Sequence, residues 1–222
     1  MGKVRVIKIE ESAYADNERT ADLIRRKMDG QKTLFLNLMS GPGSGKTTTL
    51  VTLINMLKSE YRIGVMDVDI ESDEDAKEVA DKTDIRTLQI HNGGLCHIDA
   101  DMVSRALSEY ETEDLDLLIL ENIGNLVCPA EFDTGAHKRI MILSVPEGDD
   151  KPLKYPLMFK TSDLVLINKI DTLDYFDFDL EKAEKRIHDL NPDAQVLPVS
   201  AKTGAGFDLL AEWVRKNMPL AC

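Results

Sequence analysis

The chain has 222 residues, 43% hydrophobic and 30% charged, enough for one well-buried soluble domain and short for two. Its 40 acidic and 27 basic side chains give a net charge of −13, which repels phosphate backbones and anionic lipid and argues against nucleic-acid or membrane partners. No apolar run approaches the roughly 20 residues of a membrane span, the N-terminus lacks a signal-peptide core, and three cysteines point to a reducing cytoplasm rather than a disulfide framework.

Residues 1–30 read as an amphipathic helical extension, with Ala21, Ile24 and Met28 on one face and Gly30 as the expected stop. Residues 31–222 read as one further domain. Thr33 to Met39 is an apolar strand ending at a glycine-rich turn, followed by a helix to about Ser59. "RIGVMDV" and "IRTLQI" are the second and third strands, and a helix over "IDADMVSRALSEY" carries Ile98, Met102, Val103 and Leu107 on one face. "LDLLIL", "RIMILSV", "DLVLIN" and "AQVLPV" follow, with helices at Leu180–Leu190 and Phe207–Asn217. Apolar strands without polar alternation are buried on both faces. With helical crossovers they imply an α/β fold, a doubly wound, mostly parallel sheet with its ligands at the carboxyl ends of the strands; the glycine-rich stretch after the first strand, "SGPGSGKTTT", makes it one of the phosphate-loop NTPase type.

"SGPGSGKTTT" sits between the first strand and its helix and matches the phosphate-loop pattern except that Ser40 replaces the first glycine. Gly41, Gly43 and Gly45 let the backbone curl, so that N–H groups of the Ser44–Thr48 turn and the helix N-terminus face phosphate oxygens. Lys46 would reach the β- and γ-phosphates and Thr47 would hold Mg²⁺. The strand "LVLINKID" ends in Asn168, Lys169 and Asp171. A carboxylate at Asp171 can accept two hydrogen bonds from guanine, while adenine would leave it unpaired. The Lys169 stem can lie over the base, and Ser200, Ala201 and Lys202 end the next strand beside it. This pattern resembles GTPases generally, so the expected cofactors are GTP or GDP with Mg²⁺.

"ENIG" resembles the Asp-x-x-Gly of other GTPases, with Glu121 near the metal and the Gly124 N–H near the γ-phosphate. Asp67 and Asp69 end the second strand on the same side; Asp69 is the preferred metal-facing acid, with Asp67 left open. Lys46, Asp69 and Glu121 are thus the expected catalytic set.

Cys96, His97 and Cys128 admit three readings. Cys and His suit Zn²⁺ or Ni²⁺; free cysteines are also common packing residues; a Cys-His nucleophile is the third. Cys96 is expected just before a helix, where a thiol pKa falls. Three ligands leave a tetrahedral site incomplete, and a two-fold dimer could close it. His137 and Trp213 are expected to be structural, His188 solvated, and Cys222 mobile at the terminus.

"NGGLCHIDA", "ENIGNLVCPAEFDTGAHKR", "EGDD" and "NKID", in this order, closely resemble the HypB family, the GTPases that assist nickel insertion into [NiFe]-hydrogenase. The resemblance implies a metal site at Cys96, His97 and Cys128 for nickel or zinc, a GTP-favoured homodimer, and hydrogenase maturation proteins and a hydrogenase large subunit as partners. Some members carry a Cys- or His-rich N-terminal nickel motif; the first 30 residues here contain neither residue type. The alternatives are a GTPase chaperone for another metalloenzyme (urease or a cobalamin enzyme) and a small-molecule kinase, although no arginine-rich lid is evident. Many fast GTPases place a water-orienting glutamine after the sensor glycine, where this chain has Asn125. The isolated protein is therefore expected to hydrolyse GTP slowly; a phosphate-release assay giving more than about 10 s⁻¹, the enzyme median, would contradict this.

Overall fold

The computed structural model describes residues 10–69 and 72–219. Seven strands form a single sheet: β1 (Leu34–Ser40), β2 (Ile63–Asp69), β3 (Arg86–His91), β4 (Leu117–Gly124), β5 (Lys138–Ser144), β6 (Leu164–Asn168) and β7 (Gln195–Pro198). Their order is β3-β2-β4-β1-β5-β6-β7, and every pairing is parallel. The sheet is thus wholly parallel rather than mostly so. Parallel neighbours put all strand C-termini at one edge, and β1 lies between β4 and β5 where the winding reverses.

Successive residues of β1 point to opposite faces, and both faces are covered. Leu34, Leu36 and Leu38 pack under α2 (Lys46–Leu57), α3 (Glu74–Thr83) and α9 (Phe207–Asn217), where Trp213 is also part of the core. Phe35 packs on the other side with α1 (Glu10–Gln31) and α4 (Ala100–Glu109), and Met39 with α7 (Pro156–Lys160) and α8 (Leu180–Leu190). The near-continuous apolar strands follow from this two-sided burial.

Several boundaries differ from the sequence reading. α1 runs past Gly30; its end is made at Lys32, with φ 60°, and the Thr33 N–H closes on the Met28 carbonyl. That left-handed closure needs no glycine when the residue is exposed. α4 starts at Ala100, because the Asp99 carboxylate caps the Met102 N–H at 2.8 Å and sets the first turn there. α3 escaped the sequence reading, since Ala76, Val79 and Thr83 alone supply its buried stripe. Between β4 and β5 there is only one helical turn, α5 (Cys128–Glu131). α6 (Lys151–Lys154) is equally short.

α1 docks firmly on the sheet. Ala21, Ile24 and Met28 are buried against Phe35, Ile98 and Val103. Arg25 makes a two-pronged pair with Asp133, at 3.0 and 2.9 Å. Asn17 donates to the Asp133 carbonyl and accepts from the Ala100 N–H, so α1 grips the segment after α5 and the start of α4 together. His137 is structural: its Nδ1 accepts from the Phe35 N–H at 2.9 Å and its Nε2 lies 3.2 Å from Asp29. His188 is half-buried rather than solvated, with Nε2 3.2 Å from the Ala194 carbonyl. Cys222 lies outside the described residues.

Gly135 is where α1 comes closest. Its φ is +81°, and a Cβ there would lie 2.7 Å from Ile24 Cβ and 2.9 Å from the Ala21 carbonyl oxygen. Gly135→Ala is expected to destabilise the fold by about 1–3 kcal/mol through strain and displacement of α1. Urea unfolding checks this, and an unchanged midpoint would mean that α1 adjusts freely.

Candidate functional site

The loop between β1 and α2 is held from three sides. Gly43 and Gly45 have φ of 71° and 96°. A Cβ on Gly45 would sit 2.7 Å from Asn168 Nδ2, and one on Gly41 2.5 Å from Glu147 Oε1. Both glycines are required by close approach. Ser40, at the position where the pattern has glycine, is fully buried; its Oγ donates to the Gly41 carbonyl and accepts from Lys46 Nζ at 3.1 Å. The Ser44 hydroxyl is buried with no hydrogen-bond partner among the described residues. Thr48 is exposed, and its carbonyl accepts from Thr52.

Beside this loop lies a cleft lined by Pro42, Lys46, Asp67, Asp69, Glu121 and Gly124. Glu121 is 1% exposed. Its Oε1 accepts from Thr47 Oγ1 at 2.8 Å, and its Oε2 has no partner among the described residues. Burial, then the charge of Asp67, pushes the Glu121 carboxyl up to about 8. Asp67 is raised to about 6, again by burial first and then by Asp75 and Asp69. The register pairs Asp67, not Asp69, with Glu121 across β2 and β4. Asp69 stands opposite His91 and accepts from the Ser72 N–H at 2.8 Å. This corrects the preference for Asp69: the strand alternation is right, but Asp67 is the acid set deep beside Glu121. A buried carboxylate oxygen without a donor next to a threonine hydroxyl suits a hard divalent cation with oxygen ligands. Gly124 closes the cleft; a Cβ there would lie 3.2 Å from Pro42 Cα.

The second half of the site converges on Asn168, which is 1% exposed. Its amide donates to the Ser44 carbonyl at 2.9 Å and its Oδ1 accepts from the Ala201 N–H at 3.2 Å. One side chain therefore ties the phosphate loop to both of the later strand ends. Lys169 is in the left-handed region at φ 63° and donates to the Gly43 carbonyl at 2.6 Å, laying its stem across the loop. Asp171 Oδ1 accepts from Ser200 Oγ at 2.6 Å, and Lys202 Nζ is 3.9 Å from Oδ2.

Beyond Gly124 the chain turns towards the thiols. Cys96 Sγ and Cys128 Sγ are 2.9 Å apart, across 32 positions of sequence. His97 Nδ1 is 3.9 Å from Cys96 Sγ, and the imidazole stacks on Phe132 with centroids 3.9 Å apart. The three residues converge, but they do not form a closed three-ligand cage: among the described residues no group of three or more His, Cys, Asp or Glu is arranged to hold a metal ion. Cys96 lies four positions before α4 rather than at its N-terminus. The neighbouring Cys96 sulfur, and then burial, pushes the Cys128 thiol up. Sequence reasoning missed the residues that hold this corner. Asn92 donates to the Leu95 and His97 carbonyls at 2.7 and 2.8 Å. Asn125 donates to the Cys96 carbonyl at 3.2 Å and accepts from the Val127 N–H. Asn125, noted in the sequence only for not being glutamine, bridges the end of β4 at Gly124 to the cysteine loop.

A wholly parallel sheet, a phosphate-type loop after β1 and acids ending β2 and β4 define a phosphate-loop nucleotide-binding protein. A family model described as "CobW/HypB/UreG, nucleotide-binding domain" matches residues 35–198. The chain belongs to this family, and within it to the HypB hydrogenase maturation factors: it is 41% identical to HypB of Azotobacter chroococcum over 217 residues, 98% of this chain and 71% of that one. Two solved structures agree in fold over almost the whole chain, each with a TM-score of 0.85. HypB from Archaeoglobus fulgidus is 35% identical, covering 92% of this chain and 100% of that one. HypB from Helicobacter pylori, solved in complex with nickel, is 34% identical and covers 93% and 99%.

The acid pair has a measurable signature. Folded carboxyls raised above their unfolded values bind more protons than the unfolded chain, so the stability they contribute is lost as pH rises through that window. For Glu121 the window runs from the ordinary glutamate value of 4.5 to about 8. The nucleotide-free protein is expected to lose melting temperature from pH 5 to 8, with Glu121→Gln showing a visibly shallower slope; calorimetry giving parallel slopes would reject the assignment.

Proposed function

We propose that the protein is a slow GTPase that couples the nucleotide state to the handling of a nickel- or zinc-type divalent cation for hydrogenase maturation. GTP binds across the phosphate loop, its guanine edge on Asp171 and flanked by Lys169 and by Ser200-Ala201-Lys202. Adenine would leave Asp171, already bonded to Ser200, with an unpaired oxygen facing the base. Thr47, Glu121 and Asp67 fit a resident Mg²⁺, as the donor-less Glu121 oxygen and its hydroxyl neighbour indicate. That ion would supply charge neutralisation at the β- and γ-phosphates. Lys46 adds a fixed positive charge to the same region, and the Gly124 N–H stands where the terminal phosphate would be sensed.

The observation that carries this reading is the Asn125 bridge. It joins the residue next to Gly124 to the Cys96 carbonyl, and Cys128 follows three residues later. Any shift of Gly124 on losing the terminal phosphate must pull on both sulfurs. Cys96, His97 and Cys128 give an incomplete set in one chain, and the exposed Leu95 and Val127 flank them at 43% and 49% exposure. A GTP-favoured homodimer would cover this apolar rim and complete the cation's ligands with the same residues of a second copy. Release to the other maturation proteins and the hydrogenase large subunit would follow hydrolysis.

Nickel affinity is expected to differ severalfold between the GDP form and a non-hydrolysable GTP-analogue form, with a reciprocal effect of nickel on nucleotide affinity. Asn125→Ala should shrink that difference while leaving GDP affinity unchanged. Titration calorimetry decides; equal nickel affinity in both forms of the unmutated protein ends the coupling model.

A further inference from the structure

We infer that Cys96 and Cys128 form a reversible disulfide within one chain, which closes the thiol site to metal under oxidising conditions. The two sulfurs are 2.9 Å apart, and a disulfide needs about 2.05 Å, so closure takes a movement of under about 1 Å. Both are within reach of a reagent: Cys96 is exposed and Cys128 half-buried. The backbone beneath them is held. Asn92 fixes the carbonyls of Leu95 and His97, and Asn125 fixes that of Cys96. Thiols brought to contact distance by the fold exchange as an intramolecular pair, far faster than two free thiols would meet.

The oxidant is a small-molecule disulfide of the glutathione class. One cysteine sulfur attacks it, forming a mixed disulfide and releasing one glutathione thiol. The second cysteine sulfur then attacks the protein sulfur of the mixed disulfide and expels the other glutathione thiol. The protein loses two protons and two electrons, and all are recovered on the two reduced glutathione molecules. The product has no thiolate to offer a metal, and it ties Cys128, on the segment leaving Gly124, to the Cys96 loop. The consequence for cargo rests on the function proposed above; the formation of the bond does not.

The test treats the Cys222→Ser form of the 222-residue chain, which leaves only the pair, with excess oxidised glutathione at neutral pH. Its titratable thiols should fall from two to none. Intact mass should show the loss of two hydrogens without a glutathione adduct, and a peptide map should join 96 to 128. Dithiothreitol should restore the thiols. The same treatment in urea should leave glutathione adducts, because the pair is no longer pinned. Unreacted thiols in the folded protein, persistent adducts on Cys96 or Cys128, or a cross-link between chains each overturn the inference. Nickel binding, measured in parallel, should be lost on oxidation and return on reduction. Failure of the reduced protein to bind nickel would count against the cargo reading alone, since the thiol count decides the bond separately.

Discussion

The site depends on a carboxylate held where a carboxylate is costly. Glu121 lies within β4, three residues before its end, 1% exposed, with one oxygen on Thr47 and the other without a donor among the described residues. Asp67 lies opposite it in register and carries the same sign of charge. Lys46, the Thr47 hydroxyl and the Gln89 side chain offset the pair in part, and burial still raises both carboxyls, so the arrangement favours either a proton or a cation in the cleft. The phosphate loop is where it is because α2 must bring Thr47 to this acid. Gly124 is where it is because β4 continues three residues past it.

From that anchor two paths run outward. One goes through Asn168, whose amide and carbonyl oxygen lock the phosphate loop to the ends of β6 and β7. It makes the base-binding corner and the phosphate-binding corner one rigid unit. The other goes through Gly124 and Asn125 to the thiols. That path is half-exposed and held by single side-chain amides rather than by a packed core. A rigid nucleotide cradle beside a lightly tethered thiol corner is the arrangement expected of a switch, whose moving part must be the weakly held one. The chain belongs to the HypB family, and a relative of the same fold was solved with nickel.

Much of this was legible beforehand because the motifs are local. A strand, a glycine-rich turn and a helix fall within twenty residues, so their joint purpose is written in consecutive letters; the same holds for "NKID" and for the cysteine-histidine dipeptide. The choice between Asp67 and Asp69 was not legible, because alternation puts both on one side and only the register against β4 separates them. α3 was hidden by its sparse apolar stripe. Asn92 and Asn125 were invisible because an amide's work is defined by the carbonyl it meets, and theirs are brought near by turns rather than by a motif.

The sequence by itself determined the strands and the longer helices other than α3, the two-sided burial of the sheet, the phosphate loop and the Asn-Lys-x-Asp turn, since each rests on residue type at short spacing. Tertiary structure alone decided the strand order, the pairing of Asp67 with Glu121, the docking of α1 over both thiol-bearing segments and the 2.9 Å meeting of Cys96 with Cys128. Those are contacts between distant parts of the chain. They depend on how the whole sheet closes, and no local pattern encodes a distance across 32 residues.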